Sequence, residues 1–215
     1  MDELTRTRRS YDLVADRYSA HVSGELAGKP LDRALLAALA ELTAGGPVVD
    51  VGCGPGHVAA HLAGHGIQIV GLDLSSAMCA TALRDTGLPA VVGDMTALPV
   101  PSNAVAGVVC FYALIHLDTA HRMAAYQECA RVLRSGGYAL VAFHTSDGDV
   151  PVGGVKALTD WWGHEIDLTF RFLDPVAEVR AIRAAGLDVI ARLDRRPHTG
   201  IEHPSERSYL LLRRP

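Results

Sequence analysis

The sequence has no apolar stretch long enough to cross a bilayer. The longest such run, Ala104 to Ile115, has the length of a buried strand instead. Lysine is nearly absent, with Lys29 and Lys156 the only two, and the formal net charge is −4. Arginines are scattered without forming a basic run, so the clustered cations that a nucleic-acid backbone requires are missing and no nucleic-acid partner is expected. Cys53, Cys79, Cys110 and Cys129 include no CxxC pair, and the charged opening "MDELTRTRRSYD" leads into no apolar segment. A reduced, cytoplasmic protein with no membrane partner is the expectation. The HExxH pattern is missing, His144, His164, His198 and His203 lack close ligand spacing, and His57, His61 and His65 read as a solvated helix face, so no metal is expected.

What is present is an alternation of strand and helix signals. The runs "PVVDVG", "IQIVGLDL", "AVVGD", "AVAGVVCFYALI" and "YALVAFH" recur between stretches of helical spacing punctuated by Gly or Pro, which predicts a parallel sheet wound by helices. "KPLDRALLAALAEL" and "YDLVADRY" predict helical structure ahead of the first strand. A single domain over residues 1–215 is expected, with 1–30 as an N-terminal helical segment and 146–173 as an insertion. In that insertion Ile166, Leu168, Phe170 and Phe172 alternate with polar residues, predicting one strand with one buried face. "DPVAEVRAIRAAG" predicts a helix capped by Asp174 and ended by Gly186, and "LDVIARL" and "RSYLLLR" predict two closing antiparallel strands joined by a long loop.

The segment "VVDVGCGPGH" places glycine at positions 52, 54 and 56, where the first strand turns into a helix. In a doubly wound sheet this turn makes the closest backbone approach to a ligand. Asp73 ends the second strand about 20 residues on, the offset at which a carboxylate accepts hydrogen bonds from both hydroxyls of a ribose. A nucleoside-containing cofactor follows. His57 stands where a dinucleotide fingerprint has its third glycine, no YxxxK pair serves hydride transfer, and no GxxxxGK[ST] serves a triphosphate. S-adenosylmethionine remains. Asp50 supplies negative charge for its ammonium or, equally, holds the loop through backbone N–H groups.

The chain resembles the class I S-adenosylmethionine-dependent methyltransferases, in particular the small-molecule, type 11-like group. "VVDVGCGPG" looks like the cofactor loop, "GLDLSSAM" like the ribose segment, "VVGDMTALP" like the adenine segment and "RVLRSGGYALVAF" like the turn into the fifth strand. The resemblance implies a Rossmann-like α/β fold, with a seven-stranded, mostly parallel sheet in the order 3-2-1-4-5-7-6, helices on both faces and an N-terminal helical lid. It assigns Asp50, Gly52, Gly54, Gly56, Asp73, Leu74, Met78, Asp94 and Met95 to cofactor binding, with Asp94 facing the adenine amino group and Met95 beside the ring. Tyr11 and Tyr18, seven residues apart on one side of a helix, would cover the methionine end.

Methyl transfer from a sulfonium is an in-line displacement, so the protein chiefly aligns the nucleophile and excludes water. A hydroxyl acceptor gains from a general base, and His116, after the fourth strand, is the candidate. Tyr112, His144, Trp161, Trp162 and His203 join His116 as candidate acceptor-side residues, the tryptophans as a roof over an aromatic substrate. The expected function is transfer to a small-molecule acceptor, to oxygen ahead of nitrogen. The alternatives are C-methylation, a nucleotide-dependent oxidoreductase and a cofactor-binding protein that transfers no methyl group. DNA as acceptor is disfavoured by the lack of a [DNS]PP[YFW] motif, and nothing in the sequence sets an oligomeric state.

Overall fold

The computed structural model describes residues 2–215; Met1 of the expected N-terminal segment lies outside them. The chain runs α1 (Glu3–Val22), a short 3-10 turn (Glu25–Gly28), α2 (Pro30–Leu42), β1 (Val48–Val51), α3 (His57–Gly64), β2 (Ile69–Asp73), α4 (Ser76–Thr86) and β3 (Ala90–Val92). It continues through β4 (Val105–Phe111), α5 (Thr119–Val132), β5 (Leu133–Asp147), β6 (Val155–Trp161), β7 (His164–Arg171), α6 (Pro175–Ala184), β8 (Asp188–Arg195) and β9 (Ser205–Arg213).

Seven strands form one sheet in the order β3-β2-β1-β4-β5-β9-β8. The first five are parallel and β9 runs antiparallel to both β5 and β8. Numbered within this sheet alone, that order is the expected 3-2-1-4-5-7-6. The central strands read as unbroken apolar runs because helices cover both of their faces. Val108, Cys110 and Val141 point into a core shared with Tyr126, Val132 and Ile182 of α5 and α6. Val109 and Leu140 point the other way, onto Leu36, Leu39 and Leu62 of α2 and α3. Helix ends follow from capping: Ser75 accepts from Met78 N, Asp118 from His121 N, and Asp174 from Val176 N with Pro175 opening α6.

Two elements differ from expectation. The insertion holds a two-stranded hairpin, not one strand. β7 buries Ile166 and Leu168 as foreseen, whereas its partner β6 is largely exposed and lacks the alternation that marks a half-buried strand. The N-terminal helix α1 falls within the expected helical segment but runs well beyond the "YDLVADRY" stretch that signalled it. Its buried face is built from Thr7, Ser10, Ala15 and Ser19 with Val14 and Val22, so small residues stand where a large apolar stripe would have shown its length. α1 lies on β7, where Val14 joins Ile166 and Leu168 in a third cluster ringed by Tyr11, Tyr18, Trp161, Trp162 and Phe170.

α5 and α6 are tied by a buried polar knot. Arg122 Nε donates to both oxygens of Glu178, at 3.2 and 3.3 Å, and the Tyr126 hydroxyl donates to Glu178 Oε2 at 2.6 Å. Removing the carboxylate leaves a buried guanidinium unpaired, which typically costs about 3–5 kcal/mol. Glu178→Ala is therefore expected to lose about that much stability in a denaturant titration, with the far-ultraviolet spectrum of the folded state unchanged.

Candidate active site

The order of the parallel strands reverses at β1, between β2 and β4, and a cleft opens at their carboxyl ends. Gly52 and Gly54 build its inner edge with φ of +72° and +51°. Both torsions lie in the left-handed region that side-chain-bearing residues avoid. A Cβ at Gly52 would fall 2.2 Å from Ala113 Cβ, while one at Gly54 would meet only the Tyr18 ring, at 3.8 Å. Gly54 faces the cleft; Gly56 does not line it. A Cβ at Gly56 would sit 3.1 Å from Ala82 Cβ, so this glycine permits close packing of α3 on α4.

Asp73, at the end of β2, braces the turn. Its Oδ2 accepts from Gly54 N and its Oδ1 from Ser75 N, both at 2.8 Å, and the carboxylate lines the cleft. Burial raises its pKa above the ordinary carboxylate value, with the two backbone N–H groups working in the other direction. Leu74, Met78, Asp94 and Met95 line the same side. One oxygen of Asp94 accepts from Thr96 N and Thr96 Oγ1, at 2.8 Å each, which fixes the carboxylate. Asp50 lies deeper. It is 1% exposed, does not line the cleft, and its Oδ2 has no hydrogen-bond partner. Burial, and after it the charge of Asp73, pushes its pKa up to about 7.

α1 supplies the opposite wall. The Tyr11 hydroxyl lies 2.8 Å from His116 Nε2, and His116 Nδ1 lies 3.0 Å from the Thr169 carbonyl oxygen. A carbonyl only accepts, so Nδ1 carries the proton and Nε2 accepts from Tyr11. Burial lowers the His116 pKa to about 4; the Arg171 guanidinium adds to this and the Thr169 carbonyl opposes it. Tyr11, Tyr18 and Trp161 meet edge to face, with ring centres 5.7, 6.2 and 5.6 Å apart. Trp162 stacks on Trp161 at 4.6 Å and occupies the turn between β6 and β7 at a φ of +55°.

Tyr112, just after β4, also lines the cleft and holds a φ of +59°. A bulky residue in that region stores strain of about 1–3 kcal/mol, which its surroundings must offset. Its ring stacks on His144 at 4.7 Å, and its hydroxyl meets the Tyr209 hydroxyl at 2.7 Å. Of the expected acceptor-side residues, Tyr112 and His116 line the cleft and Trp161 touches the rings of Tyr11 and Tyr18. His144 is held behind Tyr112, with Nδ1 2.7 Å from Ser205 Oγ, and burial drives its pKa well below the ordinary imidazole value. Trp161, Trp162 and His203 do not line the cleft, and the His203 side chain is exposed and pairs with Asp147. Among the described residues no cluster of three or more His, Cys, Asp or Glu side chains is placed to hold a metal ion.

Sequence reading missed a group of buried charges beyond Tyr112: Lys29, Asp32, Arg195, Glu202 and Arg207, joined by the Tyr209 hydroxyl. Asp32 carried a signal, since it interrupts the face of α2 that buries Leu36 and Leu39.

Residues 48–137 match the family described as "Methyltransferase domain". The chain is 30% identical over 141 residues to the O-methyltransferase resE of Aspergillus sclerotiorum, covering 62% of this chain and 52% of the relative. It is 28% identical over 158 residues to the S-adenosyl-L-methionine-dependent Diels-Alderase iccD of Talaromyces variabilis, covering 65% of this chain and 53% of the relative. The chain thus spans about half the length of these curated relatives. Among solved structures, that of DhpI in complex with SAH superimposes with a TM-score of 0.68 over 98% of this chain and 96% of the other, at 22% identity. The resemblance to class I S-adenosylmethionine-dependent methyltransferases carried by the four motifs is borne out.

The raised pKa of Asp50 has a stability consequence. Its folded-state value of about 7 lies above the ordinary 3.8, so ionisation costs nothing below the lower value and its full amount above the higher one. Asp50→Asn, a mimic of the protonated acid, should melt at a higher temperature than wild type at about pH 8, and this advantage should vanish towards about pH 4. Thermal melts across that range check the sign.

Proposed function

We propose that the chain binds S-adenosylmethionine in this cleft and transfers its methyl group to a small-molecule acceptor in the cytoplasm, to oxygen ahead of nitrogen. The observation that carries the reading is Asp73: a half-buried carboxylate fixed by two backbone N–H groups, facing a cleft beside two left-handed glycines. Such a carboxylate, with lone pairs to spare, suits paired hydroxyl donors. The orphaned Oδ2 of Asp50 gives the same end of the sheet a further excess of acceptors over donors. These residues fit a ligand that brings hydroxyls and positive charge. When bound, the cofactor supplies an electrophilic methyl group on a sulfonium.

The chain's own residues do the rest. Asp73 binds the ribose hydroxyls, Asp94 accepts from the adenine amino group, and Leu74, Met78 and Met95 give the apolar contact. Residues 1–30 act as a lid: Tyr11 and Tyr18 of α1 close the cleft and exclude water, which strengthens every polar interaction inside it. His116 is the general base. Its tautomer is set by Thr169, so the Nε2 lone pair, yielded by Tyr11, takes the proton of a hydroxyl acceptor as its oxygen gains the methyl group. His116 is surrounded by the rings of Tyr11 and Phe170, with Tyr18 and Trp161 against Tyr11, which suits a flat ring as acceptor. The Tyr11 hydroxyl on Nε2 also favours a second reading, a cofactor-binding protein that transfers no methyl group. Release of S-adenosylhomocysteine during incubation with a panel of small phenols separates the two.

Asp73→Ala should weaken S-adenosylmethionine binding by about 2–4 kcal/mol, from the usual strength of charge-assisted hydrogen bonds. Isothermal titration calorimetry measures it, and an unchanged Kd removes Asp73 from the ribose site. His116→Gln should lower kcat by about 10²–10⁴-fold with cofactor affinity nearly unchanged. The wild-type acidic limb should fall near the lowered pKa of about 4 and be missing in the variant. A limb that persists in the variant, with the loss mainly in KM, would make His116 a positioning residue.

A further inference from the structure

The connection between β8 and β9 carries Glu202, whose carboxylate is 2% exposed and surrounded by cations. Arg195 donates to both oxygens, from Nη1 to Oε1 and from Nη2 to Oε2 at 3.1 Å. Arg207 Nη2 stands 3.2 Å and Lys29 Nζ 3.4 Å from Oε2, and His198 N donates to Oε1 at 2.7 Å. Lys29 and Arg207 are themselves 3% and 2% exposed. This is a set of donors converging on one planar anion, with the paired fork of Arg195 matching both of its oxygens.

Two observations separate it from an ordinary structural ion pair. Charge balances only with Glu202 in place: Lys29, Arg195 and Arg207 face Glu25, Asp32 and Glu202. When Glu202 leaves, three buried cations oppose two carboxylates, and a buried unpaired charge is strongly unfavourable, so another anion must enter. In addition, Arg207 Nε is buried without any partner, a donor that the resident carboxylate does not use. The loop that delivers Glu202 includes Pro197, Gly200 and Pro204 and belongs to no helix or strand. The cluster also adjoins the cleft: Lys29 Nζ and Arg207 Cζ each lie 5.8 Å from the centre of the Tyr112 ring, which lines it.

We propose that Lys29, Arg195 and Arg207 form a carboxylate-binding site for the methyl acceptor, filled in this structure by the chain's own Glu202 and vacated when loop 196–204 lifts. The inference rests on the reading of the cleft as an acceptor site and narrows the acceptor to a small molecule that bears a carboxylate. Glu202 is then a stand-in for that group.

The probe is sodium benzoate, titrated at constant ionic strength against sodium chloride. Glu202→Gln keeps the side-chain shape and removes the competing charge, so it should bind benzoate at least about 10-fold more tightly than wild type. The benzoate ring protons should show Overhauser contacts with the Tyr112 ring, and adding Arg207→Gln should abolish the gain. Glu202→Asp, a shorter resident anion, should fall between the two and serves if the glutamine variant does not fold. Failure of both variants to bind benzoate more tightly than wild type, binding that survives Arg207→Gln, binding without contact to Tyr112, or tighter binding of phenyl phosphate than of benzoate would each overturn the proposal. Benzoate binding needs neither cofactor nor turnover. A working site in a protein that releases no S-adenosylhomocysteine counts against methyl transfer alone, and turnover without the site counts against this inference alone.

Discussion

Two carboxylates stand towards the ends of adjacent parallel strands, Asp50 buried in β1 and Asp73 half-buried at the end of β2, and the cleft is organised around them. Burial raises the cost of ionising each, and the charge of Asp73 adds to that cost at Asp50, whereas the N–H groups of Ser75 and Gly54 offset part of it at Asp73. A fold that keeps two such acids where its strand order reverses is stabilised by anything that brings donors or positive charge to them. Asp73 recruits two donors from the chain itself, the N–H groups of Gly54 and Ser75, and this bracing holds the glycine turn in its left-handed torsions. Asp50 keeps one oxygen without a partner. The bracing of the turn at Gly54 and the local excess of acceptors thus trace to these two carboxylates.

The same logic of offset strain governs the far wall. Tyr112 sits in a torsion that few bulky residues adopt, and it is held there by a stacked imidazole, a hydroxyl partner and two cations near its ring. The buried charges beyond it link α2 to β8 and β9, so elements at opposite ends of the sequence set the orientation of one ring in the cleft. On the other side, α1 and the β6–β7 hairpin bring Tyr11, Tyr18 and Trp161 together and fix His116 as a neutral acceptor. The cleft is therefore polar along the ends of β1 and β2 and aromatic along α1 and the end of β4.

The parallel sheet was legible because its strands are covered on both faces and read as unbroken apolar runs, and because capping residues mark the helices. The proposed cofactor side of the cleft was legible as a grouping because its residues lie in short local motifs: Gly52, Gly54, Asp73, Leu74, Met78, Asp94 and Met95 all line the cleft. Asp50 and Gly56 belong to the same motifs and do not, since a motif does not say which of its members serves packing. β6 escaped notice because its sequence has no apolar period, and the full length of α1 left no apolar stripe because small residues build much of its buried face. The charge cluster was illegible for a different reason. Arg195 meets Asp32 across 163 positions of sequence, and no local pattern encodes a pairing at that distance.

The most direct measurement is equilibrium dialysis of the purified chain against S-adenosylmethionine and, separately, against NAD. Binding of one S-adenosylmethionine per chain, saturable and displaced by S-adenosylhomocysteine, with no retention of NAD, is the predicted result. Retention of NAD without S-adenosylmethionine, or of neither, would contradict it.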